Sequence, residues 1–427
     1  MESSLSKWLA RIERLHAKPI ELGLDRVRAV ADALQLKLAP PAIVVGGTNG
    51  KGSTCAMLDS ILRAAGYRVG LYTSPHLLDF NERCRVDGVS PPDEALVEQF
   101  EAVEAARGST SLTYFEFTTL AIFRLLSRAQ LDAMVLEVGL GGRLDAVNIV
   151  DADVAIVTSV DLDHMDYLGA TREQIGFEKA HIYRGSRPAI CSDPAPPQSL
   201  LDHAASVGAD LWRFGRDFNY QGDRQQWAYG GRQLRRSGLP YPALRGANQL
   251  LNAAGALAAL EALGDRLPVS QQAVRQGLLT VDLPGRFQIL PGRPAVILDV
   301  AHNPHAAAVL SENLDNMGFY PVTHAVFGML RDKDIAGVIA RLGDRIDHWH
   351  VAPTPGPRGC DASSIADLVR STAGSTRSVS EYTDLASAYD GARDRAGADD
   401  RILAFGSFLT VAEVMRAIRA RPAAAIA

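Results

Sequence analysis

The chain has 427 residues, 47% of them hydrophobic and 22% charged, with a formal net charge of −5. That is the make-up of a globular protein of about two or three domains, and its acidic balance argues against broad nucleic-acid binding, whose surfaces carry a basic excess. Four scattered cysteines, Cys55, Cys84, Cys191 and Cys360, form no CxxC pair and give no zinc signal, which suits a reducing compartment. Met1 to Arg11 lacks the basic region and apolar run of a secretion signal. No run of about 18 apolar residues marks a membrane helix. The cytoplasm is the expected location, with no membrane and no nucleic acid among the partners.

Leucine and valine spacing predicts helices over 5–16 and 25–36, the second broken by Pro40-Pro41. Ala42 to Val45 reads as a short buried strand running into Gly46-Gly47-Thr48-Asn49-Gly50-Lys51-Gly52-Ser53-Thr54, with a helix from Cys55 to Ala65. Further strands are predicted at 69–72, 133–138 and 154–158, and helices at 92–106 and 115–128. The strands are almost continuously apolar, as parallel strands covered on both faces are. Polar groups follow their C-terminal ends, where open α/β sheets bind ligands. Residues 211–240 read as short antiparallel strands with turns, and helices follow at 249–262 and near 270–279. Leu290-Pro291-Gly292-Arg293-Pro294 reads as a hinge, giving domains 1–293 and 294–427. After it the βα pattern restarts, with strands at 295–299, 323–328, 346–352 and 401–406 and a helix at 306–316. The fold class is α/β: a P-loop ATP-binding domain with a mostly parallel central sheet, then a smaller Rossmann-like α/β domain. The alanine-rich tail, Ala423 to Ala427, is expected to fray.

The glycine loop carries the strongest signal. Its glycines let backbone N–H groups turn around phosphate oxygens, and the following helix adds its positive end. Lys51 can reach the outer phosphates, and the hydroxyl of Ser53 or Thr54 can meet Mg²⁺. The pattern is not the ordinary Walker loop, because a glycine intervenes before the hydroxyl. The plain alternative is a flexible turn with a surface lysine. A dinucleotide is disfavoured, since the lysine has no role in a G-x-G-x-x-G fingerprint. Glu137, following a buried strand, is well placed to hold magnesium; otherwise it is a solvated strand-end glutamate.

The loop variant resembles that of the Mur ligase superfamily, and the chain as a whole resembles the folylpolyglutamate synthase family, most of all its bacterial bifunctional branch. The matching stretches are Gly47 to Ser53, Tyr72 to Leu77, Leu136 to Ala146, Leu162-Asp163-His164 with Leu168-Gly169, Leu283 to Phe287 and Leu298 to Pro304. The resemblance implies an ATP- and Mg²⁺-dependent amide-forming ligase, working as a monomer. An acceptor carboxylate would attack the γ-phosphate of ATP, and the amine of L-glutamate would then attack the acyl phosphate. The acceptors would be dihydropteroate and the reduced folates. A polyglutamate synthase without dihydropteroate activity is the nearest rival. A ligase for a cell-wall precursor or cyanophycin-like polymer, and a nucleotide-driven switch, are more distant ones.

Residue by residue, the resemblance implies an ATP set of Thr48, Asn49, Gly50, Lys51, Gly52, Ser53, Asn252, Arg286 and Asp299. It implies metal contacts from Ser53, Ser74, Glu137 and His164, although histidine is an odd ligand for a hard cation. On its own Ser74-Pro75 is a simple turn. Lys179 reads on residues alone as a surface lysine on a helix; the resemblance makes it a carbamylated lysine of the catalytic set with Lys51, Glu137 and His164. Thr113-Tyr114-Phe115-Glu116 and Leu144-Asp145-Ala146 would lie against the pterin-bearing acceptor, and Glu21-Leu22-Gly23-Leu24 resembles the N-terminal part of the dihydropteroate site, which favours the bifunctional branch. Tyr114 or Phe115 could stack on the pterin and Glu116 could pair with its amino groups. Lys333, Arg358 and Ser407 are weaker candidates in the second domain.

Overall fold

A computed structural model of the chain describes residues 4–223, 225–373 and 377–421; the tail Ala423 to Ala427 lies outside them. The chain divides into two compact units. One comprises Met1–Ala243 with Gln249–Val281, the other Leu244–Asn248 with Asp282–Ala427.

The first unit is built on seven strands: β1 Ala42–Gly46, β2 Val69–Tyr72, β3 Cys84–Val86, β4 Ala133–Glu137, β5 Val154–Val157, β6 Pro188–Cys191 and β7 Asp210–Arg213. Their order is β3-β2-β4-β1-β5-β6-β7, parallel except where β3 pairs antiparallel with β2. Every residue of β1, β4 and β5 is buried, which explains their unbroken apolar sequences. β4 and β5 flank β1 on opposite sides, with Val45 opposite Glu137 and Gly46 opposite Val157. The C-terminal ends of these three strands therefore lie side by side, the usual place for a ligand in an open parallel sheet.

Helices close both faces. Lys51–Ala64 follows β1, and Gln249–Ala262 and Gln271–Thr280 pack against it. A Cβ at Gly277 would lie 2.5 Å from the Ile61 Cα, so only glycine permits that approach. On the other face Phe80, Phe100 and Phe117 stack edge to face, with centroids 5.6 and 5.8 Å apart. The antiparallel reading of 211–240 holds in part. Asp210–Arg213 joins the main sheet in parallel, while β8 Asn219–Gly222, β9 Trp227–Gly230 and β10 Arg235–Leu239 form a separate antiparallel sheet.

The second unit carries β11 Gln288–Leu290, β12 Ala295–Leu298, β13 Thr323–Phe327, β14 His348–Val351, β15 Ser378–Glu381 and β16 Arg401–Phe405. Their order is β11-β12-β16-β13-β14-β15, parallel except for β11 with β12. This pairing moves the boundary read at 293/294. Gln288 to Leu290 hydrogen-bonds along β12, so the Pro- and Gly-rich stretch at 291–294 is a hairpin turn inside the second unit, not a hinge between units. The two prolines supply turn geometry here rather than a linker. All four cysteines are free and buried. Among the described residues no helix is long and apolar enough to cross a membrane.

Candidate active site

The loop after β1 is shorter than its sequence suggested, because the helix starts at Lys51 rather than Cys55. Gly50 forms the N-cap with φ 86° and Gly47 has φ 142°, backbone regions that disfavour a side chain. Space is just as restrictive. A Cβ at Gly47 would lie 1.9 Å from Thr158 Oγ1, and one at Gly50 would lie 2.5 Å from Asn252 Oδ1. Asn252 is buried and donates to Gln249 Oε1 at 3.1 Å; in this unit it packs against the loop.

The segment after β5 braces the loop from the other side. Thr158 Oγ1 donates to the carbonyl of Asn49 at 2.6 Å, Ser159 Oγ accepts from the Asn49 N–H at 3.0 Å, and Thr48 N–H donates to the Ser159 carbonyl at 2.7 Å. Thr48 Oγ1 also accepts from the Asp161 N–H at 3.0 Å. Thr158 and Ser159 were not among the residues read from sequence. Their position just past a buried strand was the available signal.

Lys51 Nζ donates to the carbonyls of Gly47 and Thr48 at 3.0 and 3.1 Å. Gly52 opens the same helix, and Ser53 and Thr54 are buried in its first turn. Gln249 Nε2 approaches Ser53 Oγ at 3.5 Å, and Thr54 Oγ1 is buried with no hydrogen-bond partner among the described residues.

Lys179 is not the surface lysine its local sequence suggests. It is 4% exposed and donates to the Gly47 carbonyl at 2.9 Å, so it shares that oxygen with Lys51. Burial, with the charge of Lys51 beside it, pulls its pKa down to about 7 against the opposing pull of Asp163 and Asp145. The setting is made by tertiary structure: Arg172–Ala180 turns this face inward, onto the loop.

Glu137 ends β4 and is 5% exposed; its Oε2 accepts from the Ser74 N–H at 3.1 Å. Ser74 and Glu137 are thus joined at the ends of adjacent strands. His164 has φ 51° and begins the short Met165–Leu168 helix, with its N–H donating to Asp163 Oδ1 at 2.8 Å. Among the described residues no group of three or more His, Cys, Asp or Glu could hold a metal ion alone. Mg²⁺ takes one or two protein oxygens and completes its shell with water and substrate phosphates. The Ser53 hydroxyl, the orphaned Thr54 hydroxyl and the Glu137 carboxylate are hard oxygen donors suited to it.

Asp145 organises the turn after β4. It is 3% exposed and accepts from the Leu140 and Val147 N–H groups at 2.8 and 2.9 Å. Burial pushes its pKa up to about 6, with those amides and Lys51 opposing. Ala146 is buried beside it and Leu144 is half-buried. Phe115 packs on this turn, where a Cβ at Gly139 would lie 2.4 Å from its ring.

Glu116, set against pterin amino groups by the resemblance, is engaged within the protein itself. Thr113 and Glu116 form a capping box, with the Thr113 N–H donating to Glu116 Oε2 at 2.7 Å and the Glu116 N–H to Thr113 Oγ1 at 3.2 Å. Arg26 Nη2 donates to Glu116 Oε1 at 2.8 Å. The carboxylate is 4% exposed and already engaged through both oxygens. Tyr114 remains half-buried, with the Arg83 guanidinium 5.6 Å from its ring centroid. Glu21, Leu22, Gly23 and Leu24 lie in an irregular half-buried segment, and a Cβ at Gly23 would meet nothing within 4 Å.

In the second unit, Asp299 follows β12 and accepts from the Phe287 and Ala301 N–H groups, both at 2.8 Å. Burial raises its pKa, against those amides and Arg286. The Arg286 guanidinium lies 4.9 Å from the Phe408 ring centroid. Asn303 caps Pro304–Asp315 and Ser407 caps Phe408–Arg419, so both have structural tasks. Arg358 pairs with Asp332 at 2.5 Å.

The Mur ligase middle domain matches residues 45–260, and the Mur ligase glutamate ligase domain matches 285–408. The dihydrofolate synthase/folylpolyglutamate synthase of Escherichia coli K12 is 49% identical over 420 residues, covering 98% of this chain and 96% of the relative. The chain belongs to the dihydrofolate synthase/folylpolyglutamate synthase family of Mur ligases.

The Haemophilus influenzae member is 41% identical over 433 residues, covering 96% of this chain and 97% of its own. A solved structure of E. coli FolC with DHPP and ADP superposes with a TM-score of 0.93 at 48% identity, covering 98% of each chain. Another bifunctional synthase, solved with Mn, AMPPNP and L-glutamate bound, gives 0.90 at 46% identity, again covering 98% of each. This is a Mur ligase fold, and the α/β class with two mostly parallel sheets read from the sequence holds.

Proposed function

We propose that this synthase ligates L-glutamate to 7,8-dihydropteroate, giving dihydrofolate, and to tetrahydrofolate or folylpolyglutamate. ATP is the co-substrate and Mg²⁺ the cofactor. The observation that carries the proposal is the convergence of Lys51, Lys179 and Glu137 on the loop and strand ends of the first sheet, in a chain that aligns with bifunctional synthases almost end to end.

The first step joins an acceptor carboxylate oxygen to the γ-phosphorus of ATP as the bond to ADP breaks. In the second, the neutral amine of glutamate attacks the acyl carbon, loses a proton and expels inorganic phosphate. Both reactants of the first step are anions, so charge compensation dominates. Thr48 to Ser53 present backbone N–H groups and a helix N-terminus to phosphate, and Lys51 moves from the loop carbonyls to the outer phosphates. Mg²⁺, held through Ser53, Ser74, Glu137 and His164, neutralises phosphate charge when bound. Lys179 acts as a carbamate: an amine whose pKa is near 7 is available in neutral form to take up CO₂, releasing a proton and leaving an anionic oxygen beside Lys51.

Asn252, Arg286 and Asp299 complete the nucleotide set. The segment 21–24 serves the dihydropteroate site, 113–115 and 144–146 lie against the pterin-bearing acceptor, and the second unit contributes to glutamate ligation. The protein works in the cytoplasm as a monomer on small molecules alone.

The test supplies purified protein with ATP, Mg²⁺ and glutamate, plus dihydropteroate or tetrahydrofolate, and measures phosphate release. Release with both acceptors is expected. Release with tetrahydrofolate alone reduces the enzyme to a polyglutamate synthase, and dependence on neither acceptor overturns the reading.

A further inference from the structure

Two of the proposed acceptor segments lie about 90 positions apart in sequence, and one arginine fastens them together. Arg26 Nη1 donates to Glu21 Oε1 at 3.0 Å and Nη2 to the Glu21 carbonyl at 2.9 Å. The same guanidinium reaches Glu116 Oε1 at 2.8 Å and Oε2 at 3.4 Å. Its fork geometry suits two carboxylates at once, as a lysine ammonium would not. Helix stability does not explain an arginine at this position, since Arg26 lies in the first turn of Asp25–Ala33, where the helix dipole disfavours a cation. Glu21 has a second tether, His16 Nε2 at 3.0 Å, while His16 Nδ1 lies 2.8 Å from Ser111 Oγ just before Thr113.

Residues 20–24 belong to neither helix nor strand. Their position is set by these polar ties to the start of Tyr114–Ser127, a well-capped helix. We infer that Arg26 is a positioning residue for dihydropteroate ligation, holding the 21–24 segment in register with Thr113-Tyr114-Phe115. Arg26 itself touches no reacting atom. The inference rests on the acceptor reading given above for these segments.

Arg26→Ala is compared with wild type in three measurements: KM for dihydropteroate, KM for ATP, and kcat/KM for tetrahydrofolate. KM for dihydropteroate should rise by about tenfold or more, as loss of substrate positioning does, with the other two within roughly twofold. Because the single variant strands the buried Glu116 carboxylate, Arg26→Ala with Glu116→Gln serves as the second variant. It keeps an acceptor for the helix cap and should show the same selective loss at an unchanged thermal midpoint. An equal loss with both acceptors, or no loss, overturns the inference.

Gly23→Ala separates this failure from failure of the underlying reading, because the added methyl meets no protein atom. If it raises KM for dihydropteroate while both Arg26 variants behave as wild type, the segment binds acceptor but Arg26 does not position it. If all three variants behave as wild type, the acceptor reading of 21–24 falls too, and the inference with it.

Discussion

Each unit buries basic side chains, and it buries them in different places. In the first, Lys179 comes from a helix onto a glycine-rich loop at the C-terminal edge of the sheet and bonds a backbone carbonyl. In the second, three histidines lie on strands, His324 and His350 buried and His348 half-buried at the start of β14. His324 on β13 is in register with His348 on β14, and His350 follows on the same face. His324 Nδ1 is 3.4 Å from His350 Nε2, and His350 Nδ1 is 3.0 Å from Tyr382 Oη. Burial lowers the pKa in both groups, for Lys179 to about 7 and for His350 to about 4. A lowered pKa alone therefore does not mark a functional base. Place separates them: Lys179 reaches the glycine loop at the C-terminal edge of its sheet, whereas His324 and His350 are buried within strands.

On the proposed mechanism, Lys51 and Lys179 should be dispensable for stability and indispensable for chemistry. Lys51→Ala should lower phosphate release by roughly a hundred- to a thousandfold, the scale of losing one preorganised charge donor. Lys179→Met should fall as far, yet unfold at the same temperature or above it, because a buried amine is costly to desolvate. A Lys179→Met protein with near-normal turnover would place Lys179 with the histidines. Restoration of Lys179→Ala by added short-chain carboxylates would sharpen the carbamate assignment.

The loop gives a structural counterpart. Gly47→Ala meets both a positive φ and the Thr158 hydroxyl, so it should both destabilise the first unit by on the order of 1–3 kcal/mol and raise KM for ATP. Thr158→Ser retains the hydroxyl that bonds the Asn49 carbonyl and should leave both properties close to wild type. If Gly47→Ala binds ATP normally, the brace from residues 158–161 is not what shapes the loop.

Most of this architecture was legible in the sequence, because short, unbroken apolar runs with polar groups at their ends can hardly be anything but buried parallel strands. The loop was legible for the same reason. What the sequence hid were side chains whose setting is made by distant residues. Lys179 reads as a surface lysine until its helix docks on Gly47. Glu116 reads as an open carboxylate until Arg26 and the cap engage it. The hairpin at 291–294 has the composition of a linker, and only the pairing of Gln288 to Leu290 with β12 shows otherwise. Arg26 itself left no local signal, since its partners lie 5 and 90 positions away.

The smallest effect, and the clearest test of the histidines as architecture, is a pH dependence of stability. His324 and His350 are each 1% exposed. Asp400, with an oxygen 3.5 Å from His324 Nε2, favours the protonated ring, while Arg395 and the neighbouring histidines oppose it. Asp347 favours protonation of His348, and burial still lowers that ring. For His350 the folded pKa is about 4 against an ordinary 6.5. Between those values the unfolded chain binds more protons, so stability rises with pH across that window. It is complete above about 6.5 and lost as the pH falls toward 4. After discounting for solvent screening, His350 contributes on the order of 2 kcal/mol at neutral pH. His350→Gln keeps hydrogen-bonding capacity without a titrating ring. It should flatten the acid fall in the second unit's thermal midpoint while leaving ligation at pH 7.5 unchanged. An acid fall as steep as wild type would assign the loss to other groups, and a lost ligation rate would erase the distinction between strand end and strand middle.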